Sequence, residues 1–119
     1  MTSILIADDS NAVRGLIHEI VADLAEDIYE CSDGLEATEL YRNHCPDWVL
    51  MDIEMPVLDG LSATRQIKQA SPDAKVIIVS SYDDPRTRAT AKKYGACGYV
   101  RKDSLFEIRS YIAQRTSGP

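Results

Sequence analysis

The stretch that decides the fold is residues 3–9, which read SILIADD. Its apolar residues predict a short buried strand, and the adjacent carboxylates Asp8 and Asp9 follow directly. A second run, WVLM at 48–51, is followed by Asp52, and a third, GYVR at 98–101, is followed by Lys102. Because ligands bind at the carboxyl ends of the strands in an open parallel sheet, we expect these four charged residues to form one site.

Strand-like and helix-like segments alternate five times along the chain. The predicted strands lie at 3–8, 28–32, 48–52, 76–79 and 97–101. The predicted helices lie at about 13–24, 35–44, 61–70 and 84–94, and a capping box at 104–107 opens a fifth. This alternation predicts an α/β fold, a doubly wound five-stranded parallel sheet with helices on both faces. The strand order 2-1-3-4-5, known for one such fold, has its switch point between strands 1 and 3, which end in the predicted site.

Length and charge restrict the possible functions. We expect residues 1–119 to form a single domain, with 116–119 as a tail or linker stub. The net charge is −6, which argues against direct nucleic acid binding by this domain. We interpret a mild cluster of Lys and Arg at 86–102 as a solvated helix face.

Location and redox state are predicted from what the sequence contains. No apolar run approaches the roughly 20 residues that a membrane span requires, and there is no signal-peptide pattern. We therefore expect a cytoplasmic protein without a membrane role. Cys31, Cys45 and Cys97 show no CxxC spacing, and we expect reduced, mostly buried thiols, with any redox role left open.

The predicted cluster of charges has a definite chemistry. Three converging carboxylates repel one another, so we expect a cation to share the site. Hard oxygen ligands favour Mg²⁺. The metal and the Lys102 ammonium would together neutralise a phosphoryl group. Asp52 can then attack phosphorus as a nucleophile and form an aspartyl phosphate.

From its first strand to its last helix, the chain resembles the receiver domain of a two-component response regulator, which has a CheY-like (flavodoxin-like) fold. The matching segments are Asp8-Asp9, Asp52-x-x-Met55-Pro56, Asp59-Gly60, Ser80 and Gly95-Ala96-x-Gly98-Tyr99-x-x-Lys102. The resemblance implies a phosphorylation-activated signalling domain that catalyses only its own phosphorylation and dephosphorylation, and so not a multiple-turnover enzyme. It implies a histidine kinase or a histidine phosphotransfer protein as the partner.

The resemblance also implies roles for the residues of the site. Asp52 would accept the phosphoryl group. Asp9, Asp52 and the backbone carbonyl of Glu54 would hold Mg²⁺, with Asp8 bound directly or through water. Lys102 would pair with the phosphoryl oxygens.

Two further residues are implied to transmit the signal. Ser80 would donate its hydroxyl to the phosphoryl group, and Tyr99 would change rotamer toward the space that this movement leaves. The surface of predicted helix 4, strand 5 and helix 5 would then change, and it is also the surface for a possible homodimer, output domain or target protein. Helix 4 has a thin apolar stripe, so we expect it to pack loosely.

The sequence departs from the usual pattern of the family at two positions. Asp103 replaces the proline that commonly follows the lysine, as in a DNA-binding subset, so we expect a trans bond before it. Tyr82 lies two residues after Ser80, and Glu54 lies two residues after Asp52. These are the positions where the family tunes phosphoryl lifetime, and we expect a bulky Tyr82 to slow hydrolysis.

Other functions have weaker support from the sequence. A phosphorylation-independent pseudo-receiver would be suggested by a missing acidic residue or lysine, and none is missing. An aspartate-nucleophile phosphatase would have Asp-x-Asp, whereas this chain has Asp52-x-Glu54 and no cap domain. A flavin-binding protein would need a loop rich in Ser, Thr and Gly after strand 1. The cognate kinase, and whether the domain stands alone or belongs to a longer regulator, are left open.

Overall fold

The protein folds into alternating strands and helices, and the computed structural model describes residues 2–116, with side chains as far as residue 113. The strands are β1 Ser3–Ala7, β2 Asp27–Cys31, β3 Trp48–Met51, β4 Val76–Ser80 and β5 Gly98–Arg101. The helices are α1 Asn11–Val21, α2 Gly34–His44, α3 Gly60–Ala70, α4 Pro85–Lys93 and α5 Glu107–Thr116. No helix within 2–116 combines the length and apolar content that a membrane crossing needs.

All five strands are parallel, in the order β2-β1-β3-β4-β5. Side chains of successive strand residues point to opposite faces, so β1 contributes to two separate cores. Ile4 and Ile6 pack with α1 and α5, whereas Leu5 and Ala7 pack with α2, α3 and α4. The predicted fold class, strand order and edge position of β2 are confirmed.

Two predicted helix ends are wrong. The first helix ends at Val21 and is followed by a single 3₁₀ turn, Ala22–Leu24. The last helix begins at Glu107, because the segment before it forms turns in which the Ser104 N–H donates to the Arg101 carbonyl and the Glu107 N–H donates to the Ser104 carbonyl. The Glu107 N–H, which the predicted capping box would pair with the Ser104 hydroxyl, donates to the Ser104 carbonyl at 3.0 Å, and the Ser104 hydroxyl donates to the Asp103 carboxylate at 3.3 Å. Of the predicted tail at 116–119, Thr116 ends α5, and 117–119 lie outside the described residues.

The expectation that the cysteines are mostly buried is also wrong. Cys31 is buried on the inner side of β2, and this burial raises the pKa of its thiol to about 12. Cys45 and Cys97 are exposed. Cys45 ends α2 in the left-handed conformation, at φ 46°, and Cys97 lies just before edge strand β5. Cys45 and Cys97 therefore lie at the end of a helix and just before a strand, at the surface, where their side chains are not buried.

Candidate functional site

Two buried carboxylates, Asp8 and Asp52, come directly after β1 and β3 at the same edge of the sheet. The Asp52 N–H donates to the Ala7 carbonyl at 2.9 Å, and the Asp8 N–H donates to the Cys31 carbonyl at 3.1 Å. Both residues thus extend the strand ladders by one position. Asp8 is fully buried and Asp52 is only 5% exposed. Buried carboxylates are costly unless a positive charge compensates them, so their surroundings determine their chemistry.

The loop that follows Asp52 is held in place by Asp59 and Gly60. The Asp59 carboxylate accepts the Ser62 N–H at 2.8 Å and caps α3. The Gly60 N–H donates to the Ile53 carbonyl at 2.8 Å. A β-carbon on Gly60 would lie 1.7 Å from the carbonyl oxygen of Asp52, so only glycine fits there. This pair therefore fixes the backbone around Asp52.

Lys102 supplies the compensating charge. Its Nζ lies 3.0 Å from Asp52 Oδ1 and 3.1 Å from Asp8 Oδ2. The backbone N–H of Lys102 donates to the Ser80 carbonyl at 2.9 Å, which fixes the lysine beside the end of β4. The bond before Asp103 is trans, as expected, and the Asp103 carboxylate accepts a hydrogen bond from Arg101 at 2.8 Å.

The pKa shifts of Asp52 and Lys102 indicate that the lysine compensates the two buried carboxylates only in part. Burial raises the pKa of Asp52 to about 6, the Asp8 carboxylate adds to the rise, and Lys102 opposes it. Burial disfavours the charged form of Lys102, but Asp52 and Asp8 outweigh it and raise the pKa of the ammonium. One ammonium thus does not fully offset two buried carboxylates. A further cation would favour the ionised form of Asp52.

The donor set fits a hard divalent cation. Carboxylate oxygens of Asp8, Asp9 and Asp52 lie within 4.8 Å of one another, and within 2–116 this is the one such cluster. Asp8 Oδ2 is buried, and the partner that neutralises it is the Lys102 ammonium at 3.1 Å. Asp9 is exposed, so the cluster is open on one side. An oxygen-only set with one open side is the kind that Mg²⁺ takes, since it keeps several waters.

A cleft of about 270 Å³ opens over Asp52 and Asp9. It is large enough for a phosphoryl group and its waters. Its lining consists of most of the predicted site residues, together with Ser81: Asp9, Asp52, Glu54, Ser80, Ser81, Tyr82 and Lys102. Every predicted residue except the buried Asp8 and Tyr99 therefore faces one space.

Ser80 and Tyr99 lie on the β4–β5 side of the cleft. Ser80 is buried, and its Oγ accepts the Tyr82 N–H at 3.0 Å. The Tyr99 ring is also buried, and its hydroxyl donates to the Tyr82 carbonyl at 2.7 Å. The Arg88 guanidinium lies 4.6 Å from the centre of that ring. Tyr99 thus already occupies an inward position, bound to the loop that Ser80 begins.

Glu54 and Tyr82 are neighbours at the mouth of the cleft. Both side chains are exposed. The Glu54 carboxylate raises the pKa of the Tyr82 phenol, which places the two groups next to each other. The two residues predicted to tune phosphoryl lifetime therefore face the same opening.

Sequence reasoning missed Arg14. This residue of α1 donates from Nη1 to the Asp8 carbonyl at 2.7 Å. A signal was available, because residues 1–59 contain fourteen carboxylates and only two basic residues, and one of the two is Arg14, five positions after Asp9.

Comparison with known proteins agrees with this geometry. Residues 4–113 match the family described as the response regulator receiver domain. The chemotaxis protein CheY of Halobacterium salinarum is 39% identical, over 83% of this chain and 82% of its own. The transcriptional regulatory protein DegU of Brevibacillus brevis is 38% identical over 93% of this chain, which spans only 50% of that protein. The receiver domain of a putative regulator, NarL of Mycobacterium tuberculosis, has a TM-score of 0.87 at 27% identity, covering 99% of this chain and 98% of its own. The chain belongs to the receiver domain family of two-component response regulators.

Proposed function

We propose that Asp52 accepts a phosphoryl group from a phosphohistidine of a sensor kinase or phosphotransfer protein, in a reaction that depends on Mg²⁺. One observation carries the proposal: a buried carboxylate lies 3.0 Å from a lysine ammonium, beside two further carboxylates, under an open cleft. The ion pair and the acidic cluster are the two sources of charge that a phosphoryl transfer needs.

The transfer is a single displacement at phosphorus. Asp52 Oδ1 is held by Lys102 and by the Ile53 N–H at 2.9 Å, so Oδ2 is the oxygen proposed to attack. The new O–P bond forms as the P–N bond of the phosphohistidine breaks, and the imidazole leaves with that electron pair. Asp52 attacks in its ionised form, so a cation that favours this form would offset the effect of burial, which raises the pKa of its carboxyl.

The proposed metal ligands are Asp9, Asp52 and the Glu54 carbonyl, with Asp8 bound directly or through water. When bound, Mg²⁺ would neutralise charge on the transferred phosphoryl oxygens. The Lys102 ammonium would pair with the phosphoryl oxygens, since its Nζ already lies within 3.1 Å of both Asp8 and Asp52. Later attack by water on phosphorus would restore Asp52 and release phosphate.

The proposed signal leaves the site through Ser80 and Tyr99. The Ser80 hydroxyl would donate to the phosphoryl oxygens and so move the loop that follows Ser80, which includes Tyr82. Tyr99 is bound to that loop through the Tyr82 carbonyl, so loop and ring would shift together. The surface formed by α4, β5 and α5 is therefore the proposed contact for a target, an output domain or a second copy.

The experiment is intact-mass spectrometry after incubation with Mg²⁺ and acetyl phosphate. Wild-type protein should gain one phosphoryl adduct, and Asp52→Ala should gain none. Asp73→Ala, which removes an exposed carboxylate from the α3–β4 turn, is the matched control and should react as wild type does. Omitting Mg²⁺ should abolish the adduct.

Two outcomes would contradict the proposal. An adduct on Asp52→Ala would place the phosphoryl group on another residue. A folded wild-type protein without an adduct would point to a phosphorylation-independent interaction domain.

A further inference from the structure

We propose that Arg14 is a positioning residue for the metal site: it fixes the peptide between Asp8 and Asp9 and so aims the Asp9 carboxylate at the cleft. The inference rests on the proposed function, because it assigns a role toward the proposed Mg²⁺ ligands. Arg14 itself does not line the cleft, and its side chain donates to the Asp8 carbonyl, Glu30 and Asn11.

Three hydrogen bonds hold the Arg14 guanidinium. Nη1 donates to the Asp8 carbonyl at 2.7 Å, Nε to Glu30 Oε1 at 3.1 Å and Nη2 to the Asn11 side-chain oxygen. The side chain is only 18% exposed. A guanidinium bound at three points presents a fixed donor, which a lysine ammonium on a flexible chain does not.

The Asp8 carbonyl needs such a donor because the strand ladder stops at this point. The Asp8 N–H still pairs with the Cys31 carbonyl, but Cys31 is the last residue of β2. Arg14 thus supplies the N–H donor that the backbone of a longer β2 would have supplied. Since the peptide unit is planar, fixing this carbonyl also fixes the N–H and Cα of Asp9.

Glu30 makes the arrangement rigid from the side of the sheet. One of its oxygens accepts from Arg14, and the other lies 2.7 Å from His18 Nδ1. Both partners belong to α1, and Glu30 belongs to edge strand β2. The guanidinium is therefore held between a helix and a strand. Asp9 is exposed and begins the loop, so the orientation of its carboxylate depends on the backbone that Arg14 fixes.

The test is a calorimetric titration of the unphosphorylated protein with MgCl₂. Arg14→Met should weaken Mg²⁺ binding about tenfold, the lower end of what loss of a residue supporting metal ligands costs. The matched control is Arg42→Met on α2, an exposed arginine. Loss of a positive charge near the site would by itself strengthen Mg²⁺ binding, so a weakening in Arg14→Met alone cannot come from the change in charge. Arg14→Lys should resemble Arg14→Met, since an ammonium cannot reach the Asp8 carbonyl and Glu30 in the same geometry.

The outcomes separate this inference from the proposed function. Equal Mg²⁺ dissociation constants for Arg14→Met and Arg42→Met would overturn it, even if the melting temperature of Arg14→Met fell. If Arg14→Met does not fold, Glu30→Gln should show a smaller weakening, and an unchanged constant there would overturn the inference too. Wild-type protein that binds Mg²⁺ but forms no phosphoryl adduct contradicts the proposed function alone, whereas absence of Mg²⁺ binding contradicts both.

Discussion

The two sides of the site are held in place by different kinds of contact. The α1 side (residues 8–21) buries Ile17 and Val21 in an apolar core. The α4 side (residues 80–93) buries only Ala91 from its helix, and charged contacts such as the pair between Arg88 and Asp83 hold it at the surface. Apolar burial over a helix face costs several kcal/mol to undo, whereas exposed ion pairs contribute less than about 1 kcal/mol each. The α1 side is therefore suited to hold the proposed metal ligands in fixed positions, and the α4 side is suited to move.

The largest effect should come from the buried face of α1. Ile17→Ala should lower the free energy of unfolding by roughly 4 kcal/mol, because it opens a cavity in the core. On the α4 side, Ala91→Gly should cost about 1 kcal/mol, mostly from helix propensity. Urea denaturation of both variants measures this. Equal losses would mean that α4 is packed as firmly as α1, and the comparison would fail.

The next effect concerns the buried charge between β1 and β3. The pKa of Asp52 is about 6 in the folded protein and 3.8 in its ordinary state, so the folded form binds this proton more tightly than the unfolded chain does. Between about pH 4 and 6 the Asp52 contribution to stability should therefore fall as pH rises, by up to about 3 kcal/mol, and stay level above pH 6.

Denaturant titrations across this pH range, in chelator, would measure the effect as the difference between wild type and Asp52→Asn. That difference isolates Asp52 from the other carboxylates that titrate there. Excess Mg²⁺ should reduce it, since a cation favours the ionised carboxylate. A wild-type pH slope equal to that of Asp52→Asn would mean that Asp52 is already ionised throughout.

The α4 side offers a kinetic test. Tyr82 stands with Glu54 at the mouth of the cleft, so we expect Tyr82→Ala to admit water and shorten the phosphoryl lifetime several-fold. The decay of the adduct after removal of acetyl phosphate measures it. Tyr94→Ala, beyond the end of α4, is the matched control. A decay rate unchanged from wild type would show that Tyr82 does not shield the phosphoryl group.

The smallest effect tests how α4 holds Tyr99, the residue proposed to transmit the signal. Arg88→Met removes the guanidinium over the Tyr99 ring together with its exposed ion pair to Asp83, and should cost about 1 kcal/mol of stability in all. Arg86→Met, one residue after the start of the same helix, should cost less. If the Arg88 variant lost several kcal/mol, the α4 side would depend on this contact far more than its exposure implies.

The sequence was sufficient for the strands and for the charges that follow them. Apolar runs ending in Asp8, Asp52 and Lys102 indicate both the sheet and the site, because the parallel arrangement brings those ends together. The role of Arg14 was not predicted, because its long side chain reaches from α1 back to the preceding loop and no short-range sequence pattern indicates such a contact. The inward position of Tyr99 escaped for the same reason, since its partner is a carbonyl seventeen residues away. The start of α5 was misplaced because the same four residues, 104–107, also suit a turn in which the Ser104 carbonyl, and not its hydroxyl, accepts the Glu107 N–H.

Two glycines show how unevenly the chain would respond to mutation. Gly60 lies against the Asp52 carbonyl, so every missense change of its codon adds a side chain where none fits. Gly15, on α1, has nothing within 4 Å of an added β-carbon, and alanine there should even favour the helix by about 1 kcal/mol. In a saturation screen, position 60 would thus appear as invariant as a catalytic residue, although glycine contributes no reacting atom, while position 15 would accept most substitutions. Loss of variants at position 60 would therefore reflect the lack of space beside the Asp52 carbonyl.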